Sequence, residues 1–482
     1  MSAAANLRKQ VADLTSATSQ QRQLLTEMEA GLEDLQNQLQ SIVYPILTLP
    51  PEITAEIFFH CLHNEPKDTI ISNAAPLLLT QVCSAWREIA VTTPTLWQTF
   101  AVELNSPHEL PKLSQIAQLW FKRAKKCPLS IRMRGELVAN DTFLIFMKVL
   151  RRHSRDIHSL ELHLDAGDIK AMDSLLPNAL DLTMLESLVI LINVLSDVDD
   201  DPAERNALAM FQNSPVLRTV LTNLGKPSSI LLPWQQLTEF KGQAYKVGAC
   251  LEALRLMPNL VRCAFAAYEY SSLEAGCNPV VHFKMQDLTL LRHVSGQDED
   301  TSTSSDVLQF LTLPVLQSLI VERTDTFSAN MFDLFLKRSS PPLRKLTVHP
   351  YYHSARLHLS TSFTTLDLSE LEVCYPDCDF IPLFFDVFSK GDPRIFPNVQ
   401  RLSFPSCSVS PPTEAGDFTD LVTMLRLAAG PITERRGSMQ SFYASTHSRQ
   451  RGSADVLAPF QKLREMGMDV RIEIENLSAS YL

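Results

Sequence analysis

Between residues 157 and 399 one short element keeps returning, with two apolar residues three apart and a third apolar residue at the second position on. It reads IHSLEL from Ile157, LESLVI from Leu185, LVRCAF from Leu260, LQSLIV from Leu316, LRKLTV from Leu343, FTTLDL from Phe363 and VQRLSF from Val399, with weaker copies from Leu217, Leu237 and Leu291. Apolar residues at every second position are the mark of a short strand with one buried face. Turns containing proline (SPVL, MPNL, LPVL, PPL, FPNV) lead into several copies, and segments such as 249–257, 307–310 and 331–337 carry helical patterns between them. Most of the chain is thereby committed to strand, loop, helix and return, stacked copy on copy.

Ten starts leave nine intervals averaging about 27 residues, within the range of leucine-rich repeats. Intervals run from about 20 to about 36 residues, and the consensus Asn or Cys position is mostly unfilled. The expectation is a divergent, leucine-rich-repeat-like solenoid over 105–482; an ordinary α/β domain with look-alike buried strands is the alternative. Acidic stretches from Asp197 and Gly296 read as loops between repeats, and the basic, serine-rich tract 434–453 also reads as a loop.

The first forty residues follow a different period. Leu7, Val11, Leu14, Leu25, Met28, Leu32, Leu35, Leu39 and Ile42 are separated by alternating steps of four and three, with Thr18 and Gln21 filling the two intermediate slots, and no proline occurs before Pro45. This is a heptad seam on one long helix over 1–43. Either a second copy covers the stripe, giving a homodimer through residues 7–42, or the helix folds back on its own chain.

A third pattern fills 44–104. In YPILTLPPEITAEIFFHCL, Pro50 and Pro51 suit a helix's first turn, where a missing N–H costs nothing, and Glu52 lies favourably against the helix dipole. Ile53, Ile57 and Phe58 follow at helical spacing. A polar linker with Asn64, Pro66, Lys67 and Asp68 leads to a second helical run through Leu79, Val82, Cys83, Trp86 and Ile89, ended by Pro94 and followed by Leu96 and Trp97. So small a module cannot bury that many large apolar residues by itself, which leaves surface for a partner.

LPPEITAEIF, then QVCSAWREIA, then TLW resembles the F-box motif: Leu-Pro, an Ile-Leu-Phe helix, a Val-Cys-x-x-Trp helix and a closing Leu-Trp, in that order. With its preceding heptad helix the arrangement is similar to the large F-box families of mushroom-forming fungi. The resemblance covers about a tenth to an eighth of the chain. It implies an adaptor subunit of a Skp, cullin and F-box ubiquitin ligase, in which Leu49, Pro50, Ile53, Ile57, Phe58, Val82, Trp86, Leu96 and Trp97 include much of the contact with the Skp-type adaptor, and through it a cullin. Val82 and Trp86 are expected to serve partly as core, and Pro50, Ile53 and Trp97 to be exposed. The repeats would hold a protein target; a non-degradative scaffold that self-associates through its first helix is the alternative.

Other functions find little support. A net charge of -11 opposes a general grip on phosphate backbones, so nucleic acid is not an expected partner. The N-terminus lacks a signal-peptide layout, and the apolar stretch around 185–195 is too short to span a bilayer, which points away from membranes and toward the cytoplasm, the nucleus or both. Nine scattered cysteines fit buried free thiols in a reducing compartment. Cys374 with Cys378 and His349 with His353 have ligand spacing, yet nothing makes the two pairs converge, so packing cysteines and surface histidines, with no metal, are expected. No Gly-x-Ser-x-Gly elbow, His-Glu-x-x-His helix, phosphate loop or Gly-x-Gly-x-x-Gly turn occurs. Neither catalysis nor a cofactor is expected.

Overall fold

The structure, a computed structural model, describes residues 3–41, 48–62, 70, 74–104, 110–135, 141–175, 180–193, 207–268, 278–291, 304–322, 329–349, 366–374, 380–390, 396–405, 421–435, 437–446, 454–474 and 479–480. The polar linker 64–68, both acidic stretches except 304–306, and Ile42, His353 and Cys378 lie outside them. The chain divides into two compact units, 1–66 with 71–96, and 67–70 with 97–482.

The first unit is helical. Helix α1, Ala3–Ser41, runs 39 residues without interruption. Each side chain of residues 3–38 is exposed. The stripe stands open from Leu7 (61%) through Leu14 and Met28 (68% each) to Leu35 (64%), so no described part of this chain covers it. Helices α2, Pro51–His60, α3, Leu79–Val82, and α4, Ser84–Thr92, follow.

The second unit is built on a sheet of strands β1 Thr99–Leu104, β2 Leu129–Gly135, β3 Ile157–Leu164, β4 Ser187–Ile192, β5 Thr219–Thr222, β6 Glu239–Lys246, β7 Arg262–Tyr268, β9 Asp287–Leu291, β11 Ser318–Glu322, β12 Lys345–His349, β13 Glu370–Val373, β14 Arg401–Phe404, β15 Ser441–Thr446, β16 Asp469–Ile474 and β17 Ala479–Ser480. They lie side by side in chain order. All pair in parallel except β17, which runs antiparallel to β16. Two short strands, β8 Val280–Val281 and β10 Leu311–Thr312, pair with each other apart from this sheet. Helices fill many of the crossovers, among them 110–124, 141–152, 247–256, 329–339, 380–390, 421–434 and 454–465.

Alternate residues are buried in many strands, as in β3, where Leu160, Leu162 and Leu164 are closed off while Glu161 and His163 stay half-buried; in β1, β7 and β12 successive residues are buried. Aromatic pairs join the buried face to helices: Phe442 of β15 stacks on Phe460 at 5.3 Å, and Phe404 of β14 meets Phe384 edge-on at 5.8 Å. Two arginines close helix ends, one from the surface and one from inside. Arg338, exposed, donates to the carbonyls of Leu308 and Leu311. Arg435, 6% exposed, donates to those of Phe388 and Phe396 and lies over the Phe388 ring.

Most copies of the recurring element are strands: those from Ile157, Leu185, Leu217, Leu237, Leu260, Leu316, Leu343 and Val399 lead into β3, β4, β5, β6, β7, β11, β12 and β14. The copies expected from Phe363 and Leu291 fall largely outside the described residues, at 363–365 and 292–296. The described strands nearest them carry the pattern from Leu368, where Leu371 pairs with Leu346 and Leu402, and from Met285, which leads into β9. Ser441–Thr446, expected within a loop, is strand β15 between β14 and β16, with Phe442 and Ala444 fully buried. The expected module boundary at 104 also moves, since β1 belongs to the sheet and the helical unit ends at 96. Of the described cysteines, Cys250, Cys263 and Cys374 are buried, while Cys61 is exposed. No described helix is long and apolar enough to cross a membrane.

Candidate docking surface

Helix α2 starts where the sequence places it. Pro50 is the N-cap and Pro51 the first helical residue, so neither has an N–H to leave orphaned. Thr54 and Phe58, four apart, form the inner row and are buried. The Thr54 hydroxyl is satisfied by the Pro50 carbonyl at 3.3 Å. Ile53 and Ile57, also four apart, form a different row and are 51% and 39% exposed.

Cys83 breaks the chain direction between α3 and α4. Its extended backbone ends α3, and its sulfur accepts the N–H of Trp86 at 3.4 Å as the N-cap of α4. Arg87 ties the two helices by donating to the Thr80 carbonyl at 2.7 Å. Trp86 then meets Phe58 edge-on, ring centroids 4.9 Å apart, which locks α4 against α2. The buried indole N–H of Trp86 has no partner among the described residues.

The nine expected contact residues separate into two groups. Pro50, Ile53, Ile57 and Val82 are exposed and Leu49 and Trp86 half-buried, whereas Phe58, Leu96 and Trp97 are buried. Two expectations are corrected. Val82 is 55% exposed rather than core, because α3 turns its Leu79 inward and leaves Leu78 and Val82, four apart, facing out. Trp97 is fully buried rather than exposed, because it belongs to the second unit. There it meets Trp120 edge-on at 4.7 Å beneath the Arg123 guanidinium, and Trp120 donates to the Thr99 carbonyl at 3.1 Å.

Phe59 (45% exposed) and Leu78 (44% exposed) extend the exposed apolar set beyond what the motif marks. The doubled phenylalanine after Ile57, and a leucine four residues before Val82, were the available signals.

A second surface is the sheet face that carries the less buried strand positions. At its first strands Arg132 and Arg134 hold Glu161 at 2.5 and 2.9 Å, with His163 at 2.7 Å. Burial pushes the Glu161 carboxyl up, but the hydrogen bonds from Arg134 and Arg132 outweigh it and hold the group below the usual carboxylate range. Burial chiefly pushes His163 down. Along the same register row polar and apolar residues mix: Val189 and Leu221 lead to Lys241, Ala264, Thr289, Ile320 and Thr347, and then to Glu372 and, past Ser403 and Tyr443, Arg471. A parallel sheet whose order reverses offers a ligand crevice at the switch point; the order of the described strands never reverses.

No family model matches the chain, and no curated protein matches it.

Proposed function

We propose that this chain is the substrate-recognition subunit of a Skp–cullin–F-box ubiquitin ligase, working in the cytoplasm, the nucleus or both. Its F-box module, the helices between 48 and 96, docks the Skp-type adaptor, and through it a cullin. A leucine-rich-repeat-like solenoid over the sheet region holds a protein target on the open face. The chain performs no chemistry itself and needs no cofactor; it raises the rate of transfer by holding the target near the ubiquitin-loaded enzyme.

The observation that carries this reading is the division of labour among the motif residues. Phe58, Cys83 and Trp86 assemble the helices, while Pro50, Ile53, Ile57, Phe59, Leu78 and Val82 remain out in solvent. Apolar residues kept outside a module with its own core are what an obligate docking surface requires. Supporting the solenoid, each strand of the large sheet adds to the growing edge in chain order, as repeats that contact only their neighbours would.

The test is capture of the wild-type chain and of an Ile53→Asp, Val82→Asp variant from cells, with bound partners identified by mass spectrometry. Trp97 is unsuitable as a contact probe because its loss would damage the second unit's core. A Skp-type adaptor and a cullin are expected with wild type and absent from the variant. Their absence from wild type, or equal recovery with both, overturns the proposal.

A further inference from the structure

We propose that α1 pairs with α1 of a second copy as a parallel, in-register two-stranded coiled coil. Seven apolar residues of the stripe, from Leu7 to Leu35, are between 57% and 68% exposed. A seam with a 3.5-residue period over five heptads is matched along its length only by a helix with the same repeat. No other described helix of this chain can supply it, since the longest has 15 residues. Two copies bring fourteen such side chains together, about 1,400 Å² at roughly 100 Å² each, the size of a stable interface.

The two polar seam positions set direction and register. Thr18 already donates its hydroxyl to the Leu14 carbonyl at 2.8 Å, so it can enter a seam without an unmet donor. The Gln21 side-chain amide makes no hydrogen bond among the described residues. In parallel register Gln21 faces Gln21 of the other copy, and each amide can donate to the other's oxygen. In the antiparallel arrangement that overlaps Ala3–Ser41 most fully, Gln21 would face Leu25 and Thr18 would face Met28, leaving the Gln21 amide unpaired. That arrangement would also bring Arg22 opposite Arg22. Flanking pairs in the parallel form, Ala17 with Arg22 and Leu24 with Glu29, oppose no like charges.

The parallel direction has a consequence for docking. Ser41 of both copies lies at one end, and α2 begins ten residues later, a span of at most about 35 Å. Two docking modules would therefore emerge from the same end of one assembly.

The test uses the full chain and is independent of any adaptor. Sedimentation should find a dimer, and Leu25→Asp with Leu32→Asp should weaken self-association by about a hundredfold or more while leaving the melting of the remainder unchanged. For direction, Thr18→Cys and Met28→Cys chains are mixed and oxidised, and the links mapped by mass spectrometry, with wild type as the control for exposed Cys61. Links 18 to 18 and 28 to 28 are expected, because seam positions in register meet disulfide geometry. A monomer at every concentration, an assembly of more than two copies, an 18 to 28 link, or the absence of both expected links overturns the proposal.

Discussion

The Cys83 sulfur accepts the backbone N–H of Trp86 at 3.4 Å, so the two residues of the Val-Cys-x-x-Trp string are joined by a helix cap before they share any packing. This gives the cysteine a physical task. Cys83→Ala should destabilise the helical unit by about 0.5–2 kcal/mol, while Cys83→Ser, which keeps an acceptor, should cost less. Urea unfolding followed by hydrogen exchange of the α4 amides measures both, and equal loss in the two variants would remove the cap from the explanation.

Trp86 itself offers a second comparison. Trp86→Phe keeps an edge contact with Phe58 and discards a buried N–H that has no described partner, so it should be tolerated far better than Trp86→Ala, for which about 3–5 kcal/mol is expected. Thermal melts of the two variants distinguish them.

Trp97→Ala should act on the other unit. Removing a fully buried indole from between Trp120 and the Arg123 guanidinium should cost about 3–5 kcal/mol and loosen β1 from β2. Hydrogen exchange should show faster exchange in 99–104 and 129–135, with α2 unaffected. A change confined to α2 would return Trp97 to the helical module.

Stability should fall as the solution is acidified below neutrality. Burial pushes His282 down, and its ring is held neutral between the Met257 carbonyl at 2.9 Å and the Met285 N–H at 3.2 Å. A depressed histidine contributes stability that is fully present above its unfolded value near pH 6.5 and is lost as pH falls through that value toward the folded one. His153 and His163, lowered chiefly by burial, add to the same slope. Melting temperature should therefore drop between about pH 7.5 and pH 5.5, less steeply in His282→Gln. An unchanged slope in the variant would contradict this assignment.

The sheet was largely legible because its buried face repeats a simple rule: Leu160, Leu188, Val220 and Phe240 stand in register, each the second landmark of its copy. Phase was ambiguous where two readings fit equally well. Phe363-Thr-Thr-Leu-Asp-Leu and Leu368-Ser-Glu-Leu-Glu-Val obey the same pattern five residues apart, and of the two only the second lies wholly within the described residues, pairing with β12 and β14. Methionine hid two further copies, since Met285 and Met439 occupy positions usually taken by leucine. In the candidate docking module, order and spacing were legible but exposure was not. Leu96-Trp97 and Leu78-x-x-x-Val82 are equally apolar, yet the first pair is buried and the second faces solvent.

The most direct measurement is a calorimetric titration of a purified Skp-type adaptor into the full chain. Saturable binding of one adaptor per chain is expected, weakened at least about tenfold by Ile53→Asp with no change in melting temperature, because that side chain is half exposed and outside the core. No heat of binding with wild type, or equal affinity in the variant, would contradict an adaptor-docking module at α2 and α3.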